Sequence, residues 1–172
     1  VSADVQREFS SERLRLYTSA DVVGVEIGGA VKNVIAIAAG VIEGLGLGHN
    51  PIAALITRGL AEITRLGCAC GARSETFSGL AGLGDLVLTC TGGLSRNRRV
   101  GIGLGQGKRL SDILGSTNTV AEGVKTTGAT LKLADLHRME MPIISQVQRI
   151  LQGGISPREA IRELMERSLK CE

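Results

Sequence analysis

The stretch GVEIGGAVKNVIAIAAGVIE, residues 24–43, decides the fold. Between its two glutamates, the only strongly polar side chains are Lys32 and Asn33. Because residues three and four positions apart share a helix face, Lys32 lies between the small residues Gly28 and Ala36. The stretch therefore predicts a buried helix whose single lysine sits over a stripe of small side chains.

Two interpretations of Lys32 stay open from this stretch alone. A stripe of small residues leaves room for a ligand or a second helix, and burial disfavours the charged form of an amine. A lysine in such a place can act as a general acid and base near neutral pH. Alternatively, Lys32 extends its aliphatic stem to the surface and keeps its charge in water.

Length and composition predict one principal domain. The chain has 172 residues, of which 43% are hydrophobic, so it can bury a real core but is short for two ordinary domains. Its 24 glycines and three prolines indicate tight turns and close contacts. The net charge of +3 and the scarcity of aromatic side chains argue against a nucleic-acid-binding protein.

The cysteines and histidines give no metal-site pattern. The four cysteines (Cys68, Cys70, Cys90 and Cys171) form no CxxC pair, and His49 and His137 are not spaced with them as zinc ligands. We expect free thiols in a reducing cytoplasm and no metal. No signal peptide opens the chain, and Lys32 interrupts the apolar run before it could span a bilayer, so we expect a soluble protein without a membrane span.

The first twenty residues differ from the rest. In RLRLYTS, residues 13–19, Leu14 and Leu16 alternate with arginines, which predicts one short strand. A single strand cannot satisfy its own backbone groups, and no second strand is predicted downstream. The chain therefore reads as though it begins inside a larger protein. The alternative is a loosely ordered N-terminal arm.

Downstream of residue 20 the pattern is helical throughout. We predict helices from Asn50 to about Leu66 with a stop at Gly67, over 75–80 and 86–90, and from Ser95. Three more are predicted over 119–139, 142–151 and 156–170, the last beginning with a capping box. The fold class is therefore all-α, with seven or eight helices and no detectable internal repeat.

Two glycine-rich stretches carry polar groups typical of a binding site. In GLAGLGD, residues 79–85, glycines bring the backbone close to something just before Asp85, which is either a helix cap or a catalytic group. In TGGLSRNRRVG, residues 91–101, arginines crowd a helix start, where they oppose the helix dipole unless an anion is bound. A solvated basic turn is the alternative. GIGLGQG, residues 101–107, lacks the dinucleotide spacing and a preceding strand.

Three ordered motifs carry a family resemblance. GVEIGGAVKNVIAIAAG (24–40), GLAGLGDLVLTCTGGLSRNRRVG (79–101) and TVAEGV (119–124) resemble bacterial NAD(P)-dependent glycerol-3-phosphate dehydrogenase. The resemblance implies the family's C-terminal helical substrate domain, of the 6-phosphogluconate dehydrogenase C-terminal-like type, over residues 21–172. It also implies that residues 1–20 are a remnant of the nucleotide-binding Rossmann domain, and that the predicted strand belongs to that domain.

The resemblance also implies roles for individual residues. Lys32 becomes the catalytic proton donor and acceptor, with Asp85 orienting it. Asn33 and Thr89 are predicted to lie around the substrate, and Ser95, Arg96 and Asn97 to bind its phosphate. Arg96 is further predicted to reach the cofactor pyrophosphate, and Val120 and Glu122 to border the cofactor.

The implied reaction interconverts dihydroxyacetone phosphate and sn-glycerol 3-phosphate with NAD or NADP, for glycerophospholipid synthesis. We expect no cofactor on this chain alone and no activity without the Rossmann loop. The alternatives are a non-catalytic helical self-association module, and the helical domain of a related hydroxy-acid dehydrogenase. The SRNRR cluster at 95–99 favours a phosphate substrate over both. A homodimer is possible.

Overall fold

The computed structural model describes residues 1–115 and 121–168. Within them lie ten α-helices and one π-helical turn, Leu80–Gly84, and no strand. The helices are α1 (Ser2–Phe9), α2 (Val22–Gly44), α3 (His49–Ala69), α4 (Ser74–Ser78), α5 (Asp85–Thr91), α6 (Arg96–Gly105), α7 (Leu110–Gly115), α8 (Glu122–Leu136), α9 (Pro142–Leu151) and α10 (Pro157–Met165). The all-α prediction is confirmed, with more helices than expected.

Helix α2 is the axis of the fold. It contacts α3, α4, α5, α6, α8, α9 and the π-turn, and its second half is buried almost without interruption from Val34 to Ile42. Contrary to the expectation that Lys32 interrupts the apolar run, α2 is long and apolar enough to cross a membrane by length and composition. However, 61% of its most apolar stretch is buried by the other helices, as in the core helix of a soluble protein.

Glycines bring α2 and α6 into backbone contact. A Cβ on Gly40 of α2 would overlap the Arg98 carbonyl oxygen and lie 2.9 Å from the Gly101 Cα. One helical turn later, a Cβ on Gly105 would lie 3.0 Å from the Gly44 Cα. The glycine-rich stretch from residue 101 is therefore a helix-packing surface, consistent with its failure to match a nucleotide loop.

The predicted strand over residues 13–19 is wrong. The described residues provide no neighbouring strand, so the alternation of apolar and polar residues produces no ladder. Instead, Ser11 and Leu14 exchange backbone hydrogen bonds of 2.7 and 3.3 Å, and Gln6 donates its side-chain amide to the Leu16 carbonyl oxygen at 2.8 Å. Helix α1 buries none of its residues.

Several helix boundaries also differ from prediction. Helix α3 begins at His49 and continues past the predicted stop at Gly67 to Ala69. Gly67 instead makes room for the buried ring of Phe77, which a Cβ would overlap. Helix α10 ends at Met165, earlier than predicted, and the predicted start of α8 at residue 119 lies outside the described residues.

Side chains from other parts of the chain cap several helix starts. Asp21 accepts hydrogen bonds from the Gly24 N–H of α2 at 2.9 Å, from the Arg73 N–H that precedes α4 at 2.9 Å, and from the Thr76 hydroxyl at 2.6 Å. These bonds, that from Thr76 above all, hold the pKa of Asp21 below its ordinary value. One carboxylate thus joins the starts of α2 and α4.

Glu62 of α3 caps the start of α9 in the same way. It is 3% exposed, and its carboxyl oxygens accept the N–H groups of Ile143 at 2.8 Å and Ile144 at 3.4 Å. Burial raises the pKa of Glu62 from 4.5 to about 7, against the opposing effects of these bonds and of Arg65 and Arg167. A titratable group therefore lies at the junction of α3 and α9.

This pKa predicts a pH-dependent stability. Between pH 4.5 and about 7, Glu62 is ionised in the unfolded chain but still protonated in the folded one. The folded state then binds more protons, so the free energy of unfolding falls as the pH rises through this window, by about 3 kcal/mol in total. We expect Glu62→Gln to lack this contribution. Urea unfolding of both proteins at pH 4.5 and 8 measures the difference, and equal pH dependence would contradict it.

Candidate active site

Lys32 and Asp85 form an ion pair at the surface of the helical core. The Lys32 Nζ donates a hydrogen bond to the Asp85 Oδ2, and the two side chains are only 20% and 32% exposed. Lys32 comes from the middle of α2 and Asp85 from the first position of α5. The lysine is therefore held by a carboxylate and does not extend freely into solvent.

The π-turn places Asp85. Its Gly82 lies so close to Phe77 that a Cβ would overlap the Phe77 backbone, and a Cβ on Gly28 of α2 would be 3.0 Å from the Ala81 carbonyl oxygen. π-turns within α-helices often occur at functional sites, because they shift the following residues out of helical register. Here the turn packs against α2 immediately before the aspartate that pairs with Lys32.

Thr89 lies one helical turn after Asp85 and contacts it. Its hydroxyl is 2.6 Å from the Asp85 carbonyl oxygen, to which it donates, and 3.4 Å from the Asp85 Oδ1. Thr89 therefore lies beside the carboxylate that pairs with Lys32. Its predicted contact with substrate stays a prediction.

Asn33 and Asn97 contact each other directly. The Asn97 Nδ2 donates to the Asn33 Oδ1 at 2.9 Å, and the Asn97 Oδ1 accepts the Gly123 N–H at 2.9 Å. The Asn33 Nδ2 donates to the Gly29 carbonyl oxygen at 3.3 Å. This chain of bonds joins α2, α6 and α8. Asn33 is the residue after Lys32, so the amide chain and the ion pair start from consecutive positions of α2.

The residues of the basic cluster at 95–99 have different partners in the structure. Ser95 caps α6, its hydroxyl accepting the Arg98 N–H at 3.2 Å. The Arg98 guanidinium turns away to Glu43 of α2, at 2.7 Å and 2.6 Å from its two carboxylate oxygens. Arg96 and Arg99 are exposed and form no ion pair within the described residues. No local pattern indicates the Arg98 partner, because Glu43 lies 55 positions away.

A cavity of about 380 Å³ opens beside Arg96. Its lining combines cationic side chains (Arg99 and Lys108, besides Arg96) with one carboxylate, Asp112, and apolar residues that include Ile113 and Ala121. Glu122, predicted to border a cofactor, is exposed at the start of α8 next to Ala121. Val120 lies outside the described residues. An unpaired guanidinium beside an open cavity fits a pyrophosphate-bearing cofactor such as NAD or NADP.

The remaining polar features lie elsewhere. Among the described residues no group of three or more histidines, cysteines and acidic residues is placed to hold a metal ion. Cys68, Cys70 and Cys90 are free thiols, and burial raises the pKa of Cys90 to about 12, while Cys171 is outside the described residues. A second cavity, of about 390 Å³, lies between α8, α9 and α10 and contains none of the predicted site residues.

Comparison with known proteins places this helical fold in one class, the C-terminal domains of dehydrogenases. The family model for the NAD-dependent glycerol-3-phosphate dehydrogenase C-terminus matches residues 21–162. The chain belongs to this family, as the sequence motifs predicted.

Known relatives agree with this family. The chain is 66% identical to glycerol-3-phosphate dehydrogenase [NAD(P)+] of Koribacter versatilis over 164 residues, which cover 95% of this chain and 49% of the relative. It is 61% identical to the enzyme of the same name from Geobacter sulfurreducens over 172 residues, 100% of this chain and 51% of the relative. The chain thus spans about half the length of the curated relatives it matches.

Solved structures show the same fold. The crystal structure of glycerol-3-phosphate dehydrogenase from Coxiella burnetii matches with a TM-score of 0.91 and 47% identity, over 96% of this chain and 51% of that one. The yeast Saccharomyces cerevisiae enzyme matches with a TM-score of 0.86 and 28% identity, over 97% and 49%. The predicted fold class, a dehydrogenase helical domain, is therefore confirmed.

Proposed function

We propose that this chain is the substrate-side half of an enzyme that interconverts dihydroxyacetone phosphate and sn-glycerol 3-phosphate. The observation that carries the proposal is the Lys32–Asp85 ion pair beside the linked Asn33 and Asn97 amides. The ion pair supplies a proton donor, and the amides supply hydrogen-bond donors suited to a phosphate. Residues 21–172 would form this half, with 1–20 belonging to a nucleotide-binding half.

In the proposed mechanism Lys32 is the general acid. Its ammonium donates a hydrogen bond to the substrate carbonyl oxygen, polarises the carbonyl, and transfers a proton as the alkoxide develops. When bound, NADH or NADPH supplies the hydride to the carbonyl carbon. The lysine is left as a neutral amine and recovers a proton from solvent. In the reverse direction the amine accepts the hydroxyl proton.

Asp85 and Thr89 support the lysine. The Asp85 carboxylate stabilises the ammonium and directs it, while Thr89 hydrogen-bonds to Asp85. The substrate phosphate would bind Asn33, Asn97 and Arg96 at the start of α6, with Ser95 ordering the first turn. Arg96 and Glu122 would border the cofactor, and Val120 is proposed there by resemblance alone. The Rossmann loop of the other half would hold most of the cofactor, so this chain alone should not catalyse turnover.

Binding of sn-glycerol 3-phosphate to this chain tests the phosphate site. At low salt, calorimetric titration should show saturable binding, which Arg96→Ala weakens about 10-fold to 100-fold because a charge-assisted hydrogen bond is lost. Arg158→Ala, which removes an exposed arginine on α10, is the matched control and should bind like the wild type. If the wild type does not bind, or both variants bind equally, the helical half has no preformed phosphate site at Arg96.

We further propose a cytoplasmic protein, since the three described cysteines are unpaired thiols that suit a reducing compartment. Exposed apolar side chains lie before, within and after α5, among them Leu80, Leu88 and Leu94 at 66%, 67% and 92% exposure. This is a surface on which a nucleotide-binding half or the second copy of a homodimer would pack.

A further inference from the structure

Helix α8 begins without a capping side chain of its own. Ala121 precedes its first residue and provides no side-chain hydrogen bond. Asn97 takes that role from α6, because its Oδ1 accepts the N–H of Gly123, the second residue of α8. Asn97 is only 7% exposed, so this contact is protected from water. The start of α8 and a predicted phosphate-binding residue are therefore one structural unit.

The two ends of this hydrogen-bond chain determine how both asparagine amides are oriented. A backbone N–H can only donate, so Gly123 requires the oxygen of Asn97 and turns its Nδ2 toward Asn33. The Asn33 oxygen must then accept, which turns its Nδ2 toward the Gly29 carbonyl oxygen, a group that only accepts. The Gly123 N–H at one end and the Gly29 carbonyl oxygen at the other therefore require the same orientation of the two amides. Each amide oxygen accepts one of these bonds, and within the described part of the chain each amide keeps one N–H that donates to no protein group.

Only glycine at position 123 permits this arrangement. A Cβ there would lie 2.7 Å from the Asn33 backbone oxygen and 2.8 Å from the Asn97 Oδ1, closer than real Cβ atoms approach. The carbonyl is part of the α2 backbone and cannot rotate away as a side chain could. Gly128, five residues later in α8, is different, since its Cβ would meet only the Gln148 Oε1, at 3.8 Å.

We propose that Gly123 is a positioning residue that orients the Asn97 and Asn33 amides as hydrogen-bond donors, so that the site selects a ligand group with acceptors only, such as a phosphate dianion. This inference rests on the proposed function for the identity of the ligand. The orientation of the amides does not depend on it. Gly123 acts through the two asparagines and does not itself touch the ligand.

The test compares Gly123→Ala with the matched control Gly128→Ala in this chain. For sn-glycerol 3-phosphate, calorimetry should show at least a 10-fold loss of affinity for Gly123→Ala and a change of less than 2-fold for Gly128→Ala. The side-chain amide signals of Asn33 and Asn97 should shift in the NMR spectrum of the first variant only. Wild-type affinity together with unshifted amide signals in Gly123→Ala would overturn the proposal.

One measurement needs neither variant nor ligand. In the wild-type chain, a scalar coupling across the hydrogen bond from the Gly123 N–H to the Asn97 side-chain carbonyl should be detectable by NMR. Its absence, with fast solvent exchange of the Gly123 amide, would overturn the proposed orientation. If the wild type binds no sn-glycerol 3-phosphate, the proposed function fails at this site, and the coupling alone decides the role of Gly123. The same coupling decides it if Gly123→Ala does not fold.

Discussion

Lys32→Ala should lower kcat by about 10²-fold to 10⁴-fold in a full-length enzyme that contains this chain as its substrate half. The substitution removes the ammonium that donates to Asp85, and with it the proposed proton for the alkoxide. The proposed phosphate contacts of Asn33, Asn97 and Arg96 are unchanged, so KM should change much less than kcat. Steady-state reduction of dihydroxyacetone phosphate with NADH or NADPH measures both constants.

Two further variants separate proton transfer from charge. Lys32→Arg keeps a cation beside Asp85. Because a guanidinium does not release its proton near neutral pH, the kcat of this variant should also fall steeply. Lys132→Ala removes an exposed lysine of α8 and should leave kcat unchanged. Near-normal turnover by Lys32→Ala would reject the proton-transfer role. Normal turnover by Lys32→Arg alone would show that position 32 needs only a positive charge and does not donate a proton.

Gly40→Ala should be the most destabilising single-methyl addition in α2. The new Cβ would overlap the Arg98 carbonyl oxygen, and backbone atoms of α6 cannot move aside as a flexible side chain would. Relief requires the two helices to separate, which weakens the packing of the central helix. We expect a loss of about 3 kcal/mol, or a fall in Tm of roughly 6–12 °C, measured by urea and thermal unfolding.

Gly29→Ala in the same helix is the matched control. Nothing lies within 4 Å of a Cβ at position 29, so only the intrinsic helix preference of alanine acts there, and stability should rise by up to about 1 kcal/mol. Opposite signs for the two variants are the expected result. A Gly40→Ala protein as stable as the wild type would show that α2 and α6 do not make the backbone contact described.

A recurrent feature of this fold is the capping of a helix start by a distant side chain. Asp21 joins the starts of α2 and α4, Asn97 caps α8, and Glu62 caps α9. None of the starts of α4, α8 and α9 has a side-chain cap of its own. Each such residue therefore stabilises a helix end and a helix-to-helix contact at once.

The sequence by itself determined the local structure and the family. The apolar spacing of residues 24–43, the Ser95 and Ser156 caps and the prolines at the starts of α9 and α10 are read within a few positions. These signals predicted helices because helical hydrogen bonds and caps join residues three or four positions apart. Because such signals are local, they cannot show whether a strand has a partner. This explains the wrong strand prediction over residues 13–19, where the alternating pattern has no partner strand among the described residues.

Only the tertiary structure decided how the site is assembled. Lys32 and Asp85 are 53 positions apart, and Asn33 and Asn97 are 64 positions apart. Their pairing depends on how closely α2 approaches α5 and α6. Glycines at helix contacts and the register shift of the π-turn control that approach, and neither has a periodic signature. Local patterns and the family resemblance therefore indicated the candidate groups, whereas the packing of distant helices determined which of them meet and which side chains, like Arg98, pair within the fold.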